Sequence, residues 1–285
     1  MRRIFINQQE YSNKFWTVEV KDLSRIITFG KIDTQGRQTT KIFNSHLECM
    51  KDTEKLIVQK INKGYIEISE NDEIPQKLEL TEEERELSFF WEMIKKSNKK
   101  IGANWDEYDV QEHIDCLTKL LSKSGKQKII SFEKSFLRIM DKLYSAEIAE
   151  LSIILVNSFK KENGKVVFEN YISSDGFIYF RCWLILQGKA FFDDITTDIN
   201  AFINGKYSFD IGNTWAEELM YVSNEANMLR NEGADEYEIT DYVGEKFPEI
   251  PHYDTYKRAI NRPILGGDEI QAAYPQLVKK IIKIR

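Results

Sequence analysis

The apolar residues of the first 66 positions change their spacing partway along, and that change constrains the fold more tightly than any bulk property. Phe15-Trp16-Thr17-Val18-Glu19-Val20 alternates, with Trp16, Val18 and Val20 on one side and Phe15, Thr17 and Glu19 on the other. A period of two is that of a half-buried strand. Arg25-Ile26-Ile27-Thr28-Phe29-Gly30-Lys31, rich in β-branched residues, predicts the next strand. Asp33-Thr34-Gln35-Gly36 predicts a turn, after which Gln38-Thr39-Thr40-Lys41-Ile42-Phe43 resumes the alternation. Beyond it, Leu47, Met50, Ile57, Val58 and Ile61 fall at helical spacing. Ser45 is a candidate N-cap with Glu48 three residues on, and Gly64 marks the end. The pattern predicts an α+β N-terminal domain, a small antiparallel sheet plus one helix.

This segment is also electrostatically distinct. Residues 1–66 hold 12 Lys/Arg against 7 Asp/Glu, while the whole chain holds 40 against 46, so the remainder carries the acidic surplus. Opposite charge in two parts of one chain points to separate partners or to mutual docking. In residues 67–86 nine acidic residues stand against Lys77 and Arg85, with Pro75 among them, which reads as an acidic linker over 68–81. Thr81 and Glu84 form a capping box that starts a helix at Glu82.

The strand carrying Trp16, the triplet Phe29-Gly30-Lys31, the turn at Gly36, the aromatic Phe43, the Glu/Lys-rich helix and Lys63-Gly64-Tyr65-Ile66-Glu67 at its end resemble the WGR domain family. The resemblance covers roughly residues 2–67 and defines a WGR-like domain over 1–67. That family is best known from poly(ADP-ribose) polymerases, where it contacts broken DNA ends. Here Phe29 stands where the family has Trp, Lys31 where it has Arg, and Gly36-Arg37 where it often has Gly-Gln. The resemblance therefore implies non-sequence-specific contact with DNA or RNA through Phe29 and Lys31. An aromatic face can stack on a base, and a lysine keeps the charge while losing the bidentate fork of arginine. Arg25, Arg37 and Lys41 flank the triplet as phosphate-contact candidates.

From residue 82 onward the pattern is mainly α-helical. Leu87, Phe90, Trp91 and Ile94 mark one stripe, and Val110, Ile114, Leu117, Leu120 and Leu121 a second. Phe132, Phe136, Ile139, Met140 and Leu143 mark a third, and Ile148, Leu151, Ile154 and Leu155 a fourth. Phe177, Phe180, Trp183, Leu184 and Gln187 predict a helix capped by Ser174 or Asp175. Trp215, Leu219, Val222, Ala226 and Leu229 continue the series, and a terminal helix is expected after Gly267. The stretch from Phe89-Phe90-Trp91-Glu92 to Tyr274-Pro275-Gln276-Leu277 resembles a bacterial domain of unknown function, the family numbered 4240. Its most specific part is Asp175-Gly176-Phe177 with Phe180-Arg181-Cys182-Trp183-Leu184-Ile185 and Gln187-Gly188. The resemblance implies an architecture and no chemistry.

Asp175, Arg181 and Gln187 are the polar residues to watch in the helical domain. Arg181, on an aromatic stripe, is either an anchor for an acidic ligand or a structural ion-pair partner of Asp175 or Glu147. Asp193, Asp194 and Asp198 form a short acidic cluster that reads either as a metal-holding group or as solvated loop and helix-cap acids. Cys49, Cys116 and Cys182, and His46, His113 and His252, share no metal-ligand spacing and are expected as buried or half-buried structural residues. No metal or cofactor is expected. No Gly-rich phosphate loop, Gly-x-Ser-x-Gly or His-Glu-x-x-His occurs, and none of the three histidines precedes a glycine, so no reaction is named. No apolar run reaches the ~20 residues of a membrane span, and the N-terminus turns polar early, which predicts a cytoplasmic protein without membrane contact. The leading expectation is a nucleic-acid-associated binding protein whose helical domain binds a further partner. The alternative is a protein-interaction or immunity-type module that binds no nucleic acid.

Overall fold

The computed structural model describes residues 1–8, 12–69, 72, 74, 80–99, 108–203, 211, 213–254 and 259–285. The chain divides into two compact units, Met1–Thr81 and Glu82–Arg285. Much of the expected acidic linker (residues 70, 71, 73 and 75–79) lies outside the described residues.

The first unit is an antiparallel sheet of five strands: β1 (Arg2–Asn7), β2 (Lys14–Lys21), β3 (Ser24–Lys31), β4 (Arg37–Ile42) and β5 (Ile66–Ile68), in the order β4-β3-β2-β1-β5. The helix α1 (His46–Ile61) packs against β2 and β3. Phe5 pairs with Trp16 and Arg3 with Val18, so the apolar members of these pairs share one face of the sheet and meet Ile57 of α1. The Phe5 and Trp16 rings lie 5.4 Å apart. A second small cluster joins Val20, Phe43 and Cys49 at the other end of the helix. Strands β2, β3 and β4 fall where the alternation predicts them. Strand β1 has a contiguous Ile4-Phe5-Ile6 without alternation and β5 is three residues long, so neither carries a period.

The predicted start of α1 is borne out, with the Ser45 side chain accepting from the Glu48 amide at 3.2 Å. Its buried stripe differs from the expected one. Cys49, Thr53 and Ile57 are buried, whereas Leu47, Val58 and Ile61 are exposed. A sheet this narrow covers one row of residues four apart, and Thr53 fits within it because its hydroxyl donates to the Cys49 carbonyl at 2.7 Å.

The second unit is mainly helical. Its elements are α2 (Glu82–Ser97), α3 (Val110–Leu121), α4 (Lys126–Lys142), α5 (Ala146–Val156), the hairpin β6 (Phe159–Glu162) and β7 (Lys165–Phe168), α6 (Ser174–Leu186), α7 (Lys189–Thr197), α8 (Val222–Arg230), α9 (Glu238–Lys246), α10 (Ile270–Ala273) and α11 (Pro275–Ile281). One apolar core runs through it. Helices α5 and α6 are buried along nearly their whole length, which matches their lack of a polar face. The buried carboxylates of Glu86 and Glu150 inside this core are matched by cations and donors, while the Thr118 and Ser223 hydroxyls find no hydrogen-bond partner among the described residues. Glu86 receives Lys134 at 2.7 Å and Arg138 at 2.9 Å, and Glu150 receives both terminal nitrogens of Arg262, the Tyr274 hydroxyl and the Leu265 amide.

Several sequence expectations shift here. Asp193 and Asp194 lie on α7 rather than in a loop. Trp215 and Leu219 precede α8, Leu219 within a 3₁₀ turn and Trp215 half-exposed ahead of it. The terminal helix is two pieces, because Pro275 lacks the amide that would continue α10. Cys49, Cys182 and His113 are buried and Cys116 half-buried, but His46 and His252 lie on the surface. Among the described residues no helix is long and apolar enough to cross a membrane, and no group of three His, Cys, Asp or Glu could hold a metal ion.

Candidate nucleic-acid interface

Antiparallel register sorts the sequence-derived candidates onto the two ends of β3. Phe29 pairs with Arg37 across β4 and Arg25 pairs with Lys41, so all four side chains share the face on which α1 lies. Four residues separate Arg25 from Phe29, about 13 Å along a strand. The two ends differ in what they offer.

At the first end, Arg25 is buried. Its Nη1 donates to Asp52 Oδ2 of α1 at 2.6 Å, and its guanidinium lies 5.3 Å from the Phe43 ring centroid. Lys41 reaches the same carboxylate at 3.5 Å and sits 4.6 Å from the same ring. The hydrogen bond from Arg25 holds the Asp52 carboxyl below its ordinary pKa. These two cations, expected as phosphate contacts, are set against a half-exposed carboxylate of α1.

At the second end, the described residues give the cations no counter-charge. Lys14 and Lys31 are directly opposed across β2 and β3. Lys60, in the last turn of α1, comes alongside, its ammonium 4.7 Å from the Tyr65 ring and 5.5 Å from the Trp16 ring. Among the described residues none of these three lysines meets a carboxylate. Burial, followed by the charges of Lys63 and Lys14, lowers the Lys60 pKa, and burial raises that of Tyr65. Phe29 is 40% exposed although it faces the helix side of the sheet, because α1 ends before it. Asn13, Lys14, Phe29, Lys31, Lys60 and Tyr65 line an open cleft of about 630 Å³.

Two glycines hold the cleft's rim. Gly36 has φ +68°, and a Cβ there would come within 2.6 Å of the Phe15 ring and 2.8 Å of the Phe29 carbonyl oxygen. A Cβ on Gly30 would approach Gly36 Cα to 2.7 Å. The β3–β4 turn thus lies against Phe15 and the backbone of Phe29, and the Thr34 side chain closes it by donating to the Lys31 carbonyl at 2.7 Å. Of the sequence candidates, Phe29 and Lys31 line the cleft and Arg37 pairs with Phe29 beside it. Lys14, Lys60 and Tyr65 line it too, brought in by register and the helix end from elsewhere in the sequence.

In the helical unit Asp175, Arg181 and Gln187 do not form a cluster. They sit on one helix, with Asp175 in its first turn and Gln187 at its C-cap, about 18 Å apart at 1.5 Å per residue. Ser173, rather than Ser174 or Asp175, is the N-cap. Gln187 donates to the Trp183 carbonyl at 2.9 Å. Arg181 pairs with neither expected acid, since Glu147 is taken by Arg262 and Asn261. Asp193 pairs with Lys189, and Asp198 caps Asn200.

Residues 2–72 match the model of the WGR domain, and residues 86–227 match that of a protein of unknown function (DUF4240). The chain therefore carries a WGR domain, a type associated with nucleic-acid binding, ahead of a DUF4240 domain. It is similar to the "Uncharacterized protein YfeS" of Escherichia coli K12, 39% identical over 67 residues, and to "Protein YehF" of the same organism, 40% identical over 65 residues. These stretches cover 24% and 23% of this chain, and the chain spans about a quarter of the relatives' length, 28% and 24%. A solved structure of a Bacteroides fragilis protein is 27% identical over 46% of this chain and 40% of its own, with a TM-score of 0.25.

Proposed function

We propose that the WGR domain of this chain binds DNA or RNA through the cleft between Phe29 and Lys60, without reading sequence. The observation that supports this most is the convergence of Lys14, Lys31 and Lys60 without a carboxylate partner among the described residues, beside the exposed Phe29 ring. Like charges this close cost stability unless an anion occupies the site. Phosphates neutralise the lysines, Arg37 extends the basic surface along β4, and Phe29 stacks on a base or sugar at a strand end. Among the described residues the cleft offers phosphate-neutralising and stacking groups, so the contacts favour backbone recognition. Arg25 and Lys41 stay with Asp52 and contribute to the fold of this domain.

Residues 68–81 act as an acidic connector to the helical domain in this reading. The exposed apolar side chains of Leu47, Val58 and Ile61 on α1 favour a second reading, in which this domain docks on a protein instead. The two are separated by fluorescence-polarisation binding of the full chain to blunt duplex DNA, nicked DNA and single-stranded RNA. The proposed function expects at least one to bind and the Phe29→Ala/Lys31→Ala variant to lose that binding. Absence of binding to all three at low salt selects the protein-docking reading.

A further inference from the structure

Arg181 is a buried cation held by backbone carbonyls. Its side chain is 1% exposed, and among the described residues it forms no ion pair, although the charge of Asp141 acts on it from nearby. Its Nε donates to the Phe177 carbonyl at 3.3 Å, Nη1 to Met140 at 2.9 Å and Nη2 to Tyr253 at 3.1 Å. The Phe177 and Tyr144 rings lie 4.8 and 5.3 Å from the guanidinium carbon. Among the described residues three of its five N–H donors are engaged, all by backbone carbonyls. Burial lowers its pKa to about 10, the mark of a charged form paying for desolvation.

The guanidinium borders a cavity of about 350 Å³, walled by apolar side chains that include Ile172, Phe177, Ile178 and Ile264. Ser173 and Ser174, at the start of the 13-residue helix α6, line the same space. The capping Ser173 takes up the Gly176 amide, and the open first turn adds partial positive charge beside Arg181. Asp254 lines the cavity from its exposed side. Its carboxylate disfavours a dianion, and apolar walls favour a hydrocarbon body. We propose that this cavity in the DUF4240 domain binds a small organic monocarboxylate, its carboxylate on Arg181 and the start of α6, its apolar part against Phe177 and the isoleucines.

The test is isothermal titration of the full chain with hexanoate, 4-methylpentanoate and phenylacetate, with hexanamide and inorganic phosphate as controls. At least one acid is expected to bind, and hexanamide and phosphate at least tenfold more weakly. Arg181→Gln is expected to abolish binding but removes a buried group tied to three carbonyls and can unfold the domain. Ser174→Asp avoids that problem. A carboxylate in the first turn of α6 suits the helix dipole, so the variant keeps or raises its thermal midpoint while binding falls at least tenfold. Failure of all three acids to bind, equal binding of hexanamide or phosphate, or undiminished binding by a folded Ser174→Asp variant would each overturn the proposal.

Discussion

Lys14 and Lys31 oppose one another directly across the β2–β3 ladder, and among the described residues neither has an acid beside it. A folded domain that places two ammonium groups in register gives up stability at that rung, and a bound polyanion restores it. Stability and binding are thus expected to move in opposite directions here. Lys14→Thr should stabilise the protein by about 0.2–1 kcal/mol, the range of a cross-strand pair, while weakening its affinity for DNA. Denaturant melts and binding isotherms on the same variant check both halves.

The relocation of the interface toward one end of β3 has its own signature. Lys31→Ala should cost about tenfold in nucleic-acid affinity, the equivalent of one charge-assisted contact. Lys41→Ala, at the Asp52 end, should leave affinity within about twofold, because its ammonium already shares the Asp52 carboxylate with Arg25. Equal losses in the two variants would place the interface along the whole strand.

Gly36→Ala forces a side chain into a left-handed backbone position and drives its Cβ into the Phe15 ring. A loss of about 1–2 kcal/mol from the backbone alone is expected, with more from the collision. Nucleic-acid binding should fall as well, since the displaced turn lies against the Phe29 backbone. Circular dichroism melts and polarisation binding read the two effects.

Glu133 of α4 is fully buried, and burial pushes its carboxyl up to about 7. A raised acid favours folding while protonated, so its contribution is complete below the unfolded value near 4.5 and is lost as pH rises through about 7. The folded chain should therefore lose on the order of 3 kcal/mol from this group between those limits. Glu133→Gln should flatten that part of the stability–pH curve and raise the thermal midpoint at pH 8.

Where the sequence carried a period, the fold was legible. Strands β2, β3 and β4 and the principal helices from α2 to α6 follow apolar spacing, and caps such as Ser45 marked a start correctly. Legibility failed where contact geometry decides. Leu47, Val58 and Ile61 are apolar at helical spacing, yet a narrow sheet buries only the row through Cys49 and Ile57. Arg25 looked like a surface cation because nothing local announces Asp52, 27 residues away. Lys14 and Lys60 belong to the cleft through register and helix length, which a linear reading does not display. The charge state around Arg181 was open in the sequence for the same reason, since its acceptors are backbone carbonyls of Met140 and Tyr253.

The most direct measurement is the salt dependence of duplex DNA binding by the full chain, compared with a Lys14→Thr/Lys31→Ala/Lys60→Met variant. If Lys14, Lys31, Lys60 and Arg37 each neutralise one phosphate, log Kobs should fall with log salt at a slope of about −3.6. Removing the three lysines should shrink that slope to about −1 with loss of most affinity at low salt. A variant that keeps the parent's slope and affinity would contradict the account, because the cations that hold the nucleic acid would then lie outside the cleft.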